Sequence, residues 1–147
     1  MKFIIASDHA GRSTKEKAEK ALIELGIEYT DYSVENKPTD DYPDFAKEVA
    51  EEISKKRNTY GILSCGTGIG MSIAANKIKG IRAALVHSKK EAVLARRDNN
   101  ANILILPGKY TDFQAKNLKA IIKAFKETKF DKGRHLRRER KILNLEK

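Results

Sequence analysis

The sequence is poor in cysteine, tryptophan and long hydrophobic runs. Its 147 residues include one cysteine and no tryptophan, which excludes a disulfide framework and favours a reducing compartment. The apolar run that follows Lys2 is four residues long, too short for a signal peptide or a membrane span. We therefore expect a cytoplasmic protein without membrane association, whose residues 1–147 form one domain that buries about two-thirds of its unfolded surface.

Negative charge is scarce relative to positive charge, and the positive excess is greatest at the C-terminus. The formal net charge is +10, and residues 129–147 contain eight Lys or Arg and three Asp or Glu. Arg134 and Arg138 are four residues apart, so on a helix they would either hold one phosphate together or face solvent. Without tryptophan, an RNP-like aromatic strand or paired zinc ligands, we expect a small phosphorylated metabolite and no nucleic acid, although charge alone leaves both open.

Short apolar runs alternate with longer amphipathic ones along the chain. Strands are predicted at residues 2–6, 27–32, 60–64, 82–86 and 103–106. Helices are predicted at residues 13–25, 44–56, 70–78, 88–97, 112–127 and 134–145, the last being basic. Gly26 is expected just after the first helix, Pro43 near the start of the second, and Ser88 and Asp112 as N-caps. This alternation predicts an α/β fold, a Rossmann-like three-layer αβα sandwich with a five-stranded parallel sheet.

Cys65 stands between an apolar run and the glycine loop Gly66-Thr67-Gly68-Ile69-Gly70. A strand that ends here delivers the thiol to the carboxyl edge of the sheet, where open α/β proteins bind their ligands. Glycines let backbone N–H groups turn towards an anion, and the start of the next helix favours an anion or a thiolate. The alternative is that a lone cysteine is a small buried hydrophobic residue.

The glycine loop differs from the known nucleotide-binding motifs. It has the spacing GxGxG rather than GxGxxG and follows the third predicted strand, whereas a dinucleotide fold carries its loop after the first. A Walker A motif needs a lysine after its last glycine, but here Met71 follows Gly70. These differences favour a cradle for a small anion over a nucleotide site.

Two other polar groups are candidates for binding or catalysis. Asp8 and His9 directly follow the first strand, where catalytic loops stand, unless they only cap a turn. Asp98 precedes the segment Asn99-Asn100-Ala101-Asn102. Such a set of amides can contact sugar hydroxyls, or it can simply form a turn.

Together these segments resemble the B-type ribose-5-phosphate isomerases, a group that also includes galactose-6-phosphate isomerase. The resemblance runs almost end to end and rests on the order and spacing of Ser7-Asp8-His9, Asp41-Tyr42-Pro43, Cys65-Gly-Thr-Gly-Ile-Gly70, Ser72-Ile-Ala-Ala-Asn76-Lys77, Gly80-Ile-Arg82-Ala, Asn99-Asn-Ala-Asn102 and Gly133-Arg-His135-x-x-Arg138. It implies an aldose–ketose isomerase of the pentose phosphate pathway with a Rossmann-like fold and no metal or nucleotide cofactor. It also implies a homodimer, or a dimer of dimers, with shared active sites.

The resemblance further implies how the reaction is divided among the candidates. Cys65 would be the base that moves a proton between C1 and C2 of the sugar through an enediolate, and Thr67 would exchange protons between O1 and O2. The oxyanion would be bound by the backbone amides of Gly66, Thr67, Gly68, Ile69 and Gly70.

The resemblance also implies that residues from five other segments bind the substrate. The phosphate would be held by His9, Arg134 and Arg138, together with Lys109. The sugar oxygens would contact Asp8, Tyr42 and Asn99. Asn99 and Lys109 would come from the partner chain.

The sequence departs from the family pattern at two of these positions. Asp98 replaces the histidine that helps to open the furanose ring, so Asp98 could open the ring with altered pH dependence, Asp8 or His9 could take over, or the preferred sugar could differ. Lys109 replaces an arginine, which keeps the charge but loses bidentate geometry. We expect ribose-5-phosphate isomerase activity. The alternatives are a hexose-6-phosphate isomerase (allose or galactose 6-phosphate) and a nucleic-acid-binding module that uses the basic tail.

Overall fold

The computed structural model describes residues 1–109 and 115–146 and contains a parallel sheet covered by helices on both faces. The strands are β1 (Lys2–Ser7), β2 (Tyr29–Asp31), β3 (Thr59–Cys65), β4 (Ala83–Leu85) and β5 (Ile103–Pro107). The helices are α1 (Arg12–Glu24), α2 (Tyr42–Lys55), α3 (Ile69–Ala75), α4 (Lys89–Asn99), α5 (Ala115–Glu127) and α6 (Lys132–Leu143). The predicted Rossmann-like fold with a five-stranded parallel sheet is confirmed.

The strand order is β2-β1-β3-β5-β4, and every neighbouring pair is parallel. The central strand, β3, therefore lies between β1 and β5. Because all strands run the same way, the segments that follow β1, β3 and β5 lie at one edge of the sheet. This arrangement brings the loop after Cys65 next to the loops that follow Ser7 and Pro107.

Side chains of β1 alternate between two hydrophobic cores, as the two-residue period of a strand requires. The first core holds Phe3 and Ile5 with buried residues of α1, α4 and α5, among them Leu22, Ala92 and Phe125. The second holds Ile4 and Ala6 with buried residues of α2 and α3, among them Val49, Ala50 and Met71. Burial on both faces explains why the strands read as continuous apolar runs.

The predicted ends of several elements are confirmed by local geometry. Gly26 follows α1 with a φ of +63°, in the left-handed region that favours glycine. Pro43 lies in the first turn of α2, where its missing N–H is not needed. The Ser88 hydroxyl accepts a hydrogen bond of 3.2 Å from the amide of Glu91, so Ser88 caps α4. The predicted cap at Asp112 lies outside the described residues.

Other boundaries differ from the prediction because tertiary contacts replace regular pairing. The predicted helix at residues 70–78 ends at Ala75, since the Asn76 side chain bonds both the amide and the carbonyl of Ala83, at 2.8 and 2.9 Å. The edge strands β2 and β4 are shorter than predicted, and the amide of Arg82 donates to the Asn102 side chain at 2.8 Å. In the described part of the chain, no helix is long and apolar enough to cross a membrane.

Candidate active site

Three loops meet at the carboxyl edge of the sheet. The amide of Asp8, after β1, donates to Ser64 O at 3.3 Å. After β5, the amide of Gly108 donates to Cys65 O at 2.8 Å and that of Lys109 to Gly66 O at 2.7 Å. Backbone hydrogen bonds therefore hold the loops after β1 and β5 against the loop that carries the cysteine.

Two glycines make this close contact between loops possible. A Cβ atom at Gly11 would lie 2.3 Å from Ser64 O, and one at Gly108 would lie 2.7 Å from Ala10 O. Both distances are far below any van der Waals contact. Neither glycine was among the predicted site residues, because the requirement arises from backbone atoms that are distant in sequence and leaves no local sequence signal.

The Cys65 side chain lies at the end of the central strand, directly beneath the glycine loop. The residue is 4 % exposed, and its Sγ accepts a hydrogen bond of 3.2 Å from the amide of Gly68. Gly68, which donates this bond, has a φ of +78°, in the left-handed region that favours glycine. The amide of Ile69 donates to Thr67 Oγ1 at 3.2 Å. Main-chain amides of the loop thus donate hydrogen bonds to the Cys65 thiol and the Thr67 hydroxyl. The family resemblance implies that these two groups carry out the proton transfers.

His9 is held by an acidic partner that the sequence analysis did not identify. Its Nδ1 lies 2.7 Å from Asp40 Oδ1, and its amide donates to the same oxygen at 3.0 Å. The hydrogen bond that His9 donates to Asp40 raises the pKa of His9, which favours the imidazolium form that binds anions. Burial works to raise the pKa of Asp40, but hydrogen bonds from His9, Asn36 and Lys37 outweigh it and leave that pKa lowered. Asp40 lies in a polar segment, residues 36–41, that is distant in sequence from His9, and only the fold places the two side by side.

Asp8 is directed inward beside His9. Its Oδ1 accepts a hydrogen bond of 2.8 Å from the amide of Gly11, and the residue is 6 % exposed. Burial raises the pKa of Asp8, more than this hydrogen bond lowers it. Asp8 therefore both fixes its turn, as the simpler interpretation proposed, and presents a buried carboxyl group at the site edge.

Tyr42 and Lys109 complete the group around the glycine loop. A Cβ atom at Gly70 would lie 2.5 Å from Cζ of Tyr42, so the aromatic ring packs directly on this glycine. A Cβ atom at Gly66 would lie 3.3 Å from Cδ of Lys109. This position differs from the expectation that the partner chain supplies Lys109. Because β5 is the neighbour of β3, Lys109 of the same chain already lies at the glycine loop.

The remaining predicted site residues lie at the opposite edge of the sheet. Asp98 and Asn99 form the end of α4, which runs back to the start of β5. The amide of Asp131, just before α6, donates to Arg97 O at 2.9 Å, so the beginning of α6 packs beside Asp98. Since β3 contains seven residues, the two edges are about 20 Å apart. Asp98, Asn99, Arg134 and Arg138 are therefore not brought to Cys65 within one chain.

Asp98 is engaged in ionic contacts at this second edge. Its carboxylate accepts hydrogen bonds of 2.7 and 3.2 Å from the Arg97 guanidinium, and His135 Nε2 lies 3.7 Å from Asp98 Oδ1. The hydrogen bond from Arg97 lowers the pKa of Asp98. At neutral pH Asp98 is consequently a carboxylate and can accept a proton but cannot donate one.

Two of the three asparagines after Asp98 shape the turn. Asn102 Oδ1 accepts from the amide of Arg82, and its Nδ2 donates to Gly80 O, both at 2.8 Å. Asn100 has a φ of +50° and donates to Glu139 Oε1 at 2.7 Å. Asn99, by contrast, is exposed. The turn interpretation holds for Asn100 and Asn102, and Asn99 is the amide that is accessible for a ligand.

A family model for ribose/galactose isomerases matches residues 3–142. The chain belongs to the ribose/galactose isomerase family. This finding confirms the resemblance noted from the sequence. In residues 1–109 and 115–146 of this family member, no group of three or more His, Cys, Asp or Glu residues could hold a metal ion.

Similar proteins match this chain over nearly their whole length. The probable ribose-5-phosphate isomerase B of Mycoplasma genitalium is 43 % identical, over 99 % of this chain and 95 % of that protein. The crystal structure of a ribose 5-phosphate isomerase from Thermotoga maritima is 49 % identical with a TM-score of 0.91, over 97 % of both chains. The Mycoplasma genitalium ribose-5-phosphate isomerase B structure with bound ribulose-5-phosphate is 40 % identical with a TM-score of 0.91, over 99 % of this chain and 95 % of that one.

Proposed function

We propose that this member of the isomerase family interconverts ribose 5-phosphate and ribulose 5-phosphate. The observation that carries the proposal is the convergence of Asp8, His9, Tyr42 and Lys109 on the loop that contains Cys65. This cluster occurs in a chain that aligns almost end to end with a relative whose structure contains bound ribulose-5-phosphate. The cluster combines a thiol, main-chain donors and cations, the groups that such a reaction requires.

The reaction needs a base at carbon, a proton exchanger between two oxygens and donors for an oxyanion. In the open-chain aldose, Cys65 as thiolate removes the proton from C2, and the electron pair forms the C1–C2 double bond of an enediolate. The same thiol then returns the proton to C1, which gives the ketose. Thr67 carries the proton between O1 and O2, and main-chain amides of residues 66–70 stabilise the negative charge.

The position of the charged residues suggests how the phosphate is bound. His9 and Lys109 lie at the cysteine edge of one chain, and the pKa of His9 is raised. Arg134 and Arg138 lie at the opposite edge, about 20 Å away by the length of the central strand. A small sugar phosphate can contact both sets only if it binds between two chains. We therefore propose a homodimer in which each site joins the cysteine edge of one subunit to Asn99, Arg134 and Arg138 of the partner subunit.

Asp98 belongs to the same second edge, and we propose that it assists opening of the ribose ring. It occupies the place of the histidine that has this task in the family, while the cysteine loop is intact. As a carboxylate with a lowered pKa, it would accept the proton of the anomeric hydroxyl, O1, as the C1–O4 bond breaks, while the ring oxygen O4 takes its proton from water. A cytoplasmic location is also proposed, since a thiol that acts as a base must stay reduced.

The substrate is tested by one coupled assay. Purified protein is given ribose 5-phosphate, allose 6-phosphate or galactose 6-phosphate at equal concentrations, and the ketose product is measured. We expect the highest kcat/KM with ribose 5-phosphate. Turnover of a hexose phosphate alone would identify a hexose-6-phosphate isomerase, and no turnover of any of the three would contradict the proposed activity.

A further inference from the structure

A polar cavity of about 200 Å³ lies at the amino edge of the sheet, remote from the cysteine loop. Its wall includes three cations and three amides: Lys56, Arg82, Arg96, Asn58, Asn100 and Asn102. Among the residues that the structure describes, none of those lining the cavity is acidic, although Lys56 forms an ion pair with Glu52 outside it. Thr59 at the start of β3 also lines it, whereas Cys65 ends the same strand. The cavity and the thiol are therefore about 20 Å apart.

Arg96 brings a buried positive charge to this cavity. The residue is 6 % exposed, and its guanidinium carbon lies 4.8 Å from the centre of the Tyr60 ring. In the described part of the chain, its hydrogen bonds go to Ala101 O at 2.6 Å, Asn100 Oδ1 at 3.1 Å and the Tyr60 hydroxyl at 3.2 Å. None of these acceptors is a carboxylate. A buried charge that is not neutralised is costly, and burial lowers the pKa of Arg96.

Arg82 adds a second positive charge and spare donors. Its Nε lies 2.8 Å from Asn100 O and 3.3 Å from Glu139 Oε1, and its Nη1 donates to Gly80 O at 3.2 Å. A guanidinium has five N–H donors, so those on Nη2 are not used by these contacts. Glu139 is the one carboxylate in contact with Arg82 in residues 1–109 and 115–146, and it also accepts from Asn100. Among the described residues, the buried guanidinium of Arg96 and the partly buried one of Arg82 thus have Glu139 as a nearby carboxylate, and only Arg82 contacts it.

We propose that this cavity binds a small oxyanion, either inorganic phosphate or the phosphate group of a metabolite. Arginine donors suit phosphate geometry, because planar guanidinium groups can each bond two oxygens. The volume is below the range of about 300–1,000 Å³ for cofactor and drug-sized ligands. A space of this size holds several waters, which fits a small ion better than a nucleotide. The bound anion neutralises the surplus charge of Arg82 and Arg96.

The test uses a charge change at the rim of the cavity. Asn58 has a φ of +58°, which aspartate also tolerates, so Asn58→Asp should fold and place a carboxylate in the wall. Asn117→Asp, on the exposed face of α5, is the matched control with the same change in charge. Both are made in an Arg134→Ala/Arg138→Ala background, which weakens phosphate binding at the proposed active site.

Phosphate binding is measured by calorimetry at constant ionic strength. We expect a site for inorganic phosphate that Asn58→Asp weakens by about fivefold or more, while Asn117→Asp leaves it unchanged. Glycerol 2-phosphate distinguishes the two possible ligands. If it binds as tightly as inorganic phosphate, the site accepts the phosphate group of a metabolite. If it binds much more weakly, the ligand is the inorganic ion. Equal phosphate affinity in both aspartate variants would overturn the proposal.

Crystals soaked in selenate locate the anion directly. An anomalous peak between Arg82 and Arg96 supports the cavity as the site. No peak there, in crystals that show selenate elsewhere, would overturn the proposal. A peak in the cavity without measurable phosphate binding in solution would identify an adventitious ion only and would overturn it as well.

Discussion

The two edges of the sheet use polar side chains in different ways. At the carboxyl edge, glycines and main-chain hydrogen bonds build the loops, and reactive side chains such as those of His9, Cys65 and Lys109 are gathered around them. At the amino edge, the side chains themselves build the loops: Arg82 and Asn102 are bonded to neighbouring backbone groups. The difference teaches that close main-chain packing leaves side chains free for chemistry at the carboxyl edge, whereas at the amino edge some polar side chains are used to hold the loops.

The largest expected effect is at the carboxyl edge. Cys65→Ala should reduce kcat by about 10³-fold, because it removes the proposed base at carbon. Its control is Ser64→Ala, a substitution at the residue just before Cys65. It removes the buried hydrogen bond of 2.8 Å that the Ser64 hydroxyl donates to Leu106 O. The control should lose about 1 kcal/mol of stability and keep most of its activity. Thermal unfolding and steady-state kinetics measure both, and near-normal turnover by folded Cys65→Ala would rule out the base.

At the other edge, Arg134→Ala/Arg138→Ala should lower kcat/KM by about 30- to 10³-fold, mainly through KM, since it removes two proposed charge-assisted phosphate contacts. Arg137→Ala/Arg140→Ala removes the same charge from exposed positions of the same helix and should change kcat/KM only slightly. If both double variants kept normal kinetics but lost salt-dependent binding to RNA or DNA, the nucleic-acid alternative would be favoured.

Mixing subunits tests whether the two edges meet between chains. Cys65→Ala and Arg134→Ala/Arg138→Ala subunits, unfolded and refolded together, should recover about a quarter of normal activity. Half of the dimers would then be mixed, and each would have one intact site of two. Each variant refolded alone is the control. Failure to recover activity, with mixed dimers demonstrated by mass, would show that the edges do not share a site.

Asp98→Asn should slow the conversion of ribose 5-phosphate by about tenfold. This is less than the loss of about 10²-fold or more that is typical when an acid–base group at the reacting carbon is removed. Ribulose 5-phosphate cannot close into a furanose, and its product can leave as an open chain, so its initial rate should be spared. Asp98→His should restore the forward rate and move the acid limb of its pH profile upward. Equal losses in both directions would instead make Asp98 a structural partner of Arg97 and His135.

The smallest effect is expected at the His9–Asp40 pair. Because the hydrogen bond to the Asp40 carboxylate raises the pKa of His9, Asp40→Asn should lower that pKa, and KM should begin to rise at a lower pH. In the wild type, the stability from this pair is complete below the ordinary histidine pKa of about 6.5 and is lost as pH rises through the raised value. NMR titration of His9 and the pH profile of KM measure the change. Asp41→Asn is the neighbouring control, and identical profiles for both variants would contradict the role of Asp40.

The sequence by itself determined the strands, the helices and the loop that carries Cys65. These follow from local properties: apolar runs for buried strands, Ser88 as an N-cap, Gly26 after a helix and glycines beside the thiol. The order of motifs was also sufficient to indicate the family, because spacing along the chain is read without any knowledge of contacts.

The tertiary structure decided which of these pieces meet. Asp40 beside His9, Lys109 beside its own Gly66, and the requirement for glycine at positions 11 and 108 all depend on the strand order β2-β1-β3-β5-β4. The same order and the return of α4 placed Asp98 and Arg134 at the far edge from Cys65. Such contacts join residues that are distant in sequence. Any apolar strand could in principle pair with any other, so the partners of each residue are known only once the strand order of the sheet is known.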